Sequence, residues 1–496
     1  MYIMSKENCS AMDNLAINKY KIPGIILMEN AAEQIFVRVK NLANKYIIFC
    51  GNGNNGADGL ALGRKLILAG KDVDFILINP KEKTSSEYSV NADILKELKA
   101  KTIIIKSKEN LKMLPKIIEE SDIIIDSIFG IGLSSELNDF YKELIDIINK
   151  SNKKIISVDV PSGLDSNTGK ALGNAVKADI TYTVEVIKSG FINYNAFKYI
   201  GNLEIVSIGI PQEVKESMDE QLYILSKENY RNKLKKRAIY SHKGDYGRAV
   251  IFAGSVGYLG AARLCTESCI KTGAGLTTLV TSKESQELLS ASIVEGMLAN
   301  YDDEERVDEL ISKANVIAFG PGIKEDKNNS MLLEKLLSNA IVPIVLDAGG
   351  INLISKDRDM LNKLNEKVII TPHPGEMARL IKKDISYVEE NRVNCAKEFA
   401  KQYGCIVLLK GFNTIITDGV KTYINTTGNS KMASGGMGDT LTGIIASLIA
   451  QGHSNINAAL LGAYIHGLSA EEAGKEKYSI IASDLIKKIP MIMNTI

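Results

Sequence analysis

Two apolar runs in the first half of the chain end in a carboxylate. IIID closes on Asp126 ahead of SIFGIGLSSE, and IISVD closes on Asp159 ahead of VPSGLDSNTG. A third run, YIIFC, ends in the loop GNGNNGADG, Gly51 to Gly59, before the helix-like LALGRKLILAG. In an open parallel sheet, ligands bind beyond the carboxyl ends of the strands, and packing gives an apolar strand no reason to finish on an acid. Asn55, Asp126 and Ser162 offer hard oxygen ligands, suited to an alkali or alkaline-earth cation and not to zinc. Asp159 is then left for proton transfer. Turn capping is the competing reading of either acid taken alone.

The Gly51 loop contains G-x-G-x-x-G between a strand and a helix, where backbone N–H groups attract phosphate. A redox-dinucleotide fingerprint also asks for an acid near the end of the next strand. That strand, VDFILINP, ends in Asn79-Pro80, and Asp72 and Asp74 come too early. No Gly-Lys-Ser/Thr follows, which excludes a P-loop. Asn52, Asn54, Asn55 and Asp58 bring more side-chain oxygen than a redox loop needs; a glycine-rich turn without ligand is the alternative.

In the second half, SGGMGD, Ser434 to Asp439, runs into the apolar TLTGIIASLIA. Glycines allow close backbone approach and the helix N-terminus favours negative charge. An acid at that position suits a base that deprotonates a hydroxyl for attack on a phosphoryl group; the dipole alone also accounts for an acid in a first turn. FGPG (319–322) and TPHPGE (371–376) are tight polar turns at strand ends, and His373 reads equally well as a turn residue. Lys410 in LLKGFNT stands where a cation meets phosphate, or where a solvated lysine precedes a turn.

The elements that must carry these groups alternate from residue 46 onward. Strands are expected at 46–50, 73–79, 102–105, 122–126 and 154–160, with helices between them, including 57–69, 89–100 and 138–150. The βαβ rhythm and near-continuous Ile/Val strands predict a doubly wound, Rossmann-like parallel sheet. PQEVKESMDEQ (211–221) reads as a linker. A second α/β series follows, with strands at 249–253, 276–281, 316–319, 341–347, 368–371, 406–409, 413–417 and 421–424, and long helices at 440–450 and 456–472. A chain of 496 residues exceeds one ordinary core. Its net charge of +1 gives no argument for nucleic acid or an anionic membrane. Six scattered cysteines show no zinc spacing, and Cys265 and Cys269 read as core neighbours. The N-terminus lacks an apolar leader, and no apolar run reaches bilayer length. A soluble cytoplasmic protein is expected.

LMENAA (27–32), GNGNNGADG, Asp126-x-x-x-Gly130-x-Gly132 and VDVPSGLD (158–165) together resemble the N-terminal domain of the bifunctional NAD(P)H-hydrate repair enzymes. SHKGDYGRAVIFAGSVGYLGAARL, GPG, HPGEMARL, KGFNT and NSKMASGGMGDTLTG resemble the ribokinase-like C-terminal domain of the same family, in the family's order. The resemblance implies an epimerase domain over 1–212, interconverting R and S forms of NADHX and NADPHX. It implies a dehydratase domain over 213–496, returning the S form to NAD(P)H at the expense of ADP. For the epimerase, the implied hydrate contacts are Asn54, Asn55, Gly56, Ala57, Asp58, Gly130, Ile131, Gly132, Leu133, Ser134, Ser135, Glu136 and Asp159. One potassium ion is implied at Asn55, Asp126 and Ser162. In the dehydratase the hydrate is implied to meet Ala261, Gly322, His373, Pro374, Gly375, Glu376, Met377, Ala378, Arg379 and Asp439, the last as base. ADP, accompanied by Mg2+, is implied at Lys410, Gly411, Phe412, Asn413 and Thr414. The ADP site continues through Asn429, Ser430, Lys431, Met432, Ala433, Ser434, Gly435, Gly436, Met437 and Gly438. A homo-oligomer acting on small molecules is expected. Two departures stand out: GPG continues as Ile323-Lys324 where the family has Leu-Gly, and DAGGINL (347–353) lacks the family's second Asp. A small-alcohol kinase of ribokinase type, fused to a nucleotide-binding sensor or scaffold domain, is the alternative.

Overall fold

The computed structural model describes residues 1–80, 84–219, 222–339 and 341–496. The chain forms two compact units, Met1–Gln221 and Leu222–Ile496. Part of the expected linker folds as a short helix, Gln212–Glu216, while Glu220 and Gln221 lie outside the described residues.

The strands of the first unit are β1 (Tyr2–Met4), β2 (Lys45–Cys50), β3 (Asp72–Ile78), β4 (Lys101–Ile105), β5 (Ile123–Ser127), β6 (Lys154–Val158), β7 (Ile180–Val184), β8 (Ile187–Lys188) and β9 (Asn202–Val206). Seven of them form a parallel sheet in the order β4-β3-β2-β5-β6-β7-β9. Alternate side chains of β2 enter two cores: Tyr46, Ile48 and Cys50 pack under helices Gly24–Val39 and Asn54–Leu68, and Ile47 and Phe49 pack against helix Asp139–Asn149. Each fully buried isoleucine contributes roughly 1.5–3 kcal/mol, so both faces hold the central strands in place. The chain leaves β2 towards β3 and β4, then returns to β5 on the other side. The switch point between β2 and β5, where such sheets bind ligands, is thus flanked by the Gly51 loop and Asp126.

The sequence reading continues the sixth strand to residue 160, but it ends at Val158 because Asp159 takes a left-handed φ of 64°. It also misses β7 and β9, whose ITYTV and NLEIV alternate polar and apolar residues where buried strands are usually continuous.

In the second unit, β10 is Leu222–Ile224, and β11 to β14 are Arg248–Phe252, Leu276–Thr281, Met297–Asn300 and Val316–Phe319. β15 to β19 are Ile344–Leu346, Val368–Ile370, Ile406–Leu409, Thr414–Thr417 and Thr422–Asn425. Their order is β13-β12-β11-β14-β15-β16-β17-β18-β19-β10, parallel as far as β17 and then turning through an antiparallel hairpin. Here the order reverses between β11 and β14. Helix Met437–Ala450 is buried almost throughout and crosses helix Leu259–Thr272 so closely that a Cβ at Gly443 would overlap the Cys265 carbonyl. Cys265 and Cys269 are both buried in that core.

Candidate active sites

The first site forms at the β2/β5 switch point. The Gly51 loop must lie flat on the end of β5: a Cβ at Gly51 would strike the Ile128 carbonyl, and one at Gly56 would strike Gly51. Helix Asn54–Leu68 then starts from Gly53 with no side-chain cap, leaving its first N–H groups for an anion.

Behind that loop, Asp126 is wholly buried. Its Oδ2 accepts from Ser157 Oγ and the Ser162 N–H, both at 2.8 Å, and its Oδ1 accepts from Ser162 Oγ at 2.5 Å. Burial still pushes its pKa up, against those hydrogen bonds. Asn55 is buried beside Gly130, with neither side-chain Oδ1 nor Nδ2 hydrogen-bonded. A buried amide without partners costs about 1–3 kcal/mol. The donor set of one amide oxygen, one carboxylate and one hydroxyl fits a singly charged hard cation.

Asp159 directly follows β6. Its left-handed backbone is held by its N–H to Tyr182 O at 2.8 Å, and its Oδ1 accepts from the Val184 N–H at 3.0 Å. That oxygen also meets Lys188 Nζ at 2.5 Å. The Lys188 ammonium is buried and donates to the carbonyls of Val184 and Val186 at 2.9 and 3.2 Å. Burial works against its charge, but Asp159, Cys9 and Asp13 outweigh it and leave the lysine above its usual range. Asp58 is driven well above the carboxylate range, first by burial and then by Asp159 and Asp13. Asn54, Ala57 and Asp58 lie in the first turns of the helix, while Ile131 to Glu136 form a largely open loop after β5, Glu136 accepting from Lys142 at 2.9 Å.

The second site centres on a residue the sequence reading left without a role. Asp347, at the end of β15, is buried and accepts from Lys410 Nζ at 2.6 Å and Thr442 Oγ1 at 2.9 Å. Burial opposes its charge, yet Lys410 and these hydrogen bonds hold it below the usual range. The signal was present: IVLD is a third apolar run ending in an acid. Lys410, raised against burial by Asp347, Glu376 and Asp439, is therefore an ion-pair partner and not a solvated lysine.

Asp439 lies in the first turn of helix Met437–Ala450, whose N-cap Gly436 has φ 86° and no side-chain cap. Gly438 lets this turn rest on the ion pair, a Cβ there lying 3.1 Å from Lys410 Nζ. Asp439 is pushed up to about 6, mainly by burial and then by Asp347. His466, in helix Asn455–Ala473, is buried with Nε2 unbonded, and burial lowers it to about 4.

The other implied contacts belong to the same unit. Gly322 (φ 67°) would place a Cβ 3.1 Å from that of Ala261, and Ser255 Oγ donates to Gly322 O at 2.7 Å. His373 caps helix Pro374–Ile381: its Nδ1 accepts from the Gly375 N–H at 3.0 Å, and Glu376 Oε2 accepts from the His373 N–H at 2.8 Å. Arg379 Nε donates to Asn352 Oδ1 at 3.0 Å. Gly411 packs on Arg392, whose guanidinium donates to Lys410 O at 3.1 Å. Lys431 Nζ is taken up by Gly474 O at 2.8 Å, and Ser434 Oγ donates to Ile480 O at 2.9 Å. The two departures from the family pattern meet each other: a Cβ at Gly349, where the family has its second Asp, would lie 2.5 Å from the Ile323 carbonyl.

Residues 249–491 match the NAD(P)H-hydrate dehydratase family, and residues 24–190 match the YjeF-related protein N-terminus. A bifunctional NAD(P)H-hydrate repair enzyme of Moorella thermoacetica is 33% identical over 100% of this chain and 97% of its own length. That of Escherichia coli is 31% identical, over 98% and 91%. Among solved structures, a ribokinase-like superfamily protein from Enterococcus faecalis covers 55% of this chain and 96% of its own, with 30% identity and a TM-score of 0.51. Among the described residues, no helix is long and apolar enough to cross a membrane.

Proposed function

The chain belongs to the family of bifunctional NAD(P)H-hydrate repair enzymes, and from that premise we propose how its two sites divide the work. The enzyme repairs hydrated nicotinamide coenzymes by epimerisation and dehydration. The observation that carries this reading is the identity of 33% running over the whole chain and nearly the whole relative.

We assign epimerisation to residues 1–212 and dehydration to 213–496. In the first site, the open N-terminus of helix Asn54–Leu68 faces the coenzyme's phosphates. The ring nitrogen expels the C6 hydroxyl, and water returns to either face. Asp159, fixed by Lys188 and the Val184 N–H, exchanges the proton with that water. Asn55, Asp126 and Ser162 would hold potassium, which when bound gives the lone Asn55 oxygen a partner and offsets the buried Asp126 charge. Replacing Asn55 with alanine checks this: removing a buried amide that bonds nothing should not lower stability, while epimerisation loses its response to potassium. An unchanged potassium response excludes the site.

In the second site, hydroxide is a poor leaving group, so the C6 hydroxyl of the S form attacks the terminal phosphoryl group of ADP and AMP departs. Asp439 takes the hydroxyl proton, and its raised pKa of about 6 suits a base working near neutrality. Lys410, drawn towards Asp347, supplies the positive charge beside the transferring group. Elimination of phosphate with loss of the C5 proton then restores the reduced ring. Magnesium would accompany the nucleotide, held chiefly by its phosphates and water; among the described residues no group of three His, Cys, Asp or Glu side chains is placed to hold a metal ion. The six buried free cysteines agree with a reducing, cytoplasmic compartment.

The test is to incubate the protein with mixed R and S NADHX and ADP, following the near-ultraviolet absorbance of reduced nicotinamide. Full recovery from both epimers is expected. No recovery, with phosphate passed instead to a small alcohol, favours the kinase alternative.

A further inference from the structure

The ends of β6 and β7 are built alike. Asp159 and Glu185 each follow the last residue of their strand, and each takes a left-handed φ, 64° and 58°. Each closes a three-residue turn: the Val160 N–H donates to Val158 O at 2.8 Å, and the Val186 N–H donates to Val184 O at 2.7 Å. Such turns are rare and strained for a residue with a side chain. The backbone N–H of each acid reaches the neighbouring strand, Asp159 to Tyr182 O and Glu185 to Val206 O, both at 2.8 Å. Each carboxylate then accepts from an N–H further along that neighbour, Val184 at 3.0 Å and Ile208 at 2.7 Å. Each also holds a lysine, Lys188 at 2.5 Å and Lys215 at 2.7 Å.

The two arrangements stand in series. The turn centred on Glu185 supplies the groups that fix the Asp159 pair. Its Val184 N–H bonds Asp159 Oδ1, and the Val184 and Val186 carbonyls accept from Lys188 Nζ at 2.9 and 3.2 Å. Val184 O serves both Lys188 and the Val186 N–H, so these bonds hold together only while Glu185 stays left-handed. The Glu185 side chain is 2% exposed against 13% for Asp159, so it has no open face for a substrate. Its carboxylate is spent on Ser207 Oγ at 3.2 Å, the Ile208 N–H and Lys215 Nζ. Lys215 rides helix Gln212–Glu216, in the segment expected to be a linker, and all three partners lie beyond residue 190, where the YjeF-related match ends.

Resting on the reading of Asp159 as the proton-transfer group, we propose that Glu185 is a positioning residue of the epimerase: clamped by Ile208 and Lys215, it locks the left-handed turn that aims Asp159 and Lys188. The clamp works through the backbone of the turn and not through the charge of the carboxylate. Lys188 and the Val184 N–H both bond Oδ1 of Asp159, and fixing that oxygen fixes the direction in which Oδ2 meets the exchanging water. A displacement of about 1 Å in such a group costs up to about 10²-fold in rate.

Glycine takes a left-handed φ at no steric cost and alanine does not, so the two substitutions separate the turn from the carboxylate. The experiment measures kcat and KM of R-to-S exchange for the full chain and its Glu185→Ala, Glu185→Gly, Lys215→Met and Glu185→Gly/Lys215→Met variants, with thermal melts. Glu185→Ala should lower kcat at least about tenfold, and Lys215→Met at least about threefold, with KM within about twofold of wild type. Glu185→Gly should restore kcat to within about twofold of wild type, and adding Lys215→Met to it should cost nothing more, because the clamp then has no strained turn to hold. Dehydration of pure S hydrate should be unchanged throughout. Wild-type kcat in Glu185→Ala or in Lys215→Met overturns the proposal. So does a Glu185→Gly variant as slow as Glu185→Ala, which would place the effect in the carboxylate. Where Glu185→Ala melts below the assay temperature, Lys215→Met and the double variant decide by the same criteria. Asp159→Asn separates the causes. If it is inactive while Glu185→Ala is normal, only the role of Glu185 fails; if it also exchanges at wild-type speed, the site assignment itself fails.

Discussion

Both units pair a lysine with an aspartate that follows a strand, but they use the pair differently. In the first, Lys188 bonds Asp159, which is 13% exposed and proposed to move the proton. In the second, Lys410 bonds Asp347, which is 1% exposed, and the proposed base, Asp439, stands outside the pair. On the proposed roles, such an ion pair holds a reacting group in one site and sets the field around one in the other. The difference suits the two reactions. Epimerisation returns every proton it takes, so its acid works beside a fixed countercharge. Phosphoryl transfer needs a base that ionises near neutrality, with a separate cation left for the phosphate.

Breaking the buried pair of the second unit should give the largest effect on stability. Lys410→Met leaves Asp347 charged, buried and unpaired, and should destabilise that unit by about 3–5 kcal/mol while abolishing dehydration. A melt within 1 °C of wild type would show that the pair is dispensable. Next, dehydration should fall by about tenfold per pH unit once the pH drops below about 6, because Asp439 gains a proton there and cannot act as base. The raised value has the matching stability sign: the contribution of Asp439 is fully present below the ordinary carboxylate pKa and is lost as pH rises through about 6. A dehydration rate flat from pH 7 to 5 removes Asp439 from that role. The smallest effect belongs to Gly349→Ala, whose Cβ must displace the Ile323 carbonyl; a loss of about 1 kcal/mol is expected. A neutral result would mean that the Ile323-Lys324 and DAGGINL departures are independent.

The parts of these sites that lie at the ends of apolar strands were legible in the sequence. Asp126 and Asp159 interrupt runs that have no packing need of them, and the Gly51 and SGGMGD turns announce helix starts without caps. Asp347 carries the same signal in IVLD, directly before the segment that lacks the family's second Asp. Lys188 was not legible as the partner of Asp159. It follows a left-handed Glu185 on a strand that pairs with β1, both long-range consequences of folding. The motif also disguised Lys410, since a lysine before a turn looks solvated until Asp347 is seen beneath it.

The two sites are proposed to work separately, and a reciprocal assay tests this most directly. Asp159→Asn and Asp439→Asn are each assayed for R-to-S exchange and for ADP-dependent dehydration of pure S hydrate. Asp159→Asn should lose exchange by about 10²–10⁴-fold and keep dehydration, and Asp439→Asn should do the reverse. Loss of both activities in either variant, or of neither, would contradict the account.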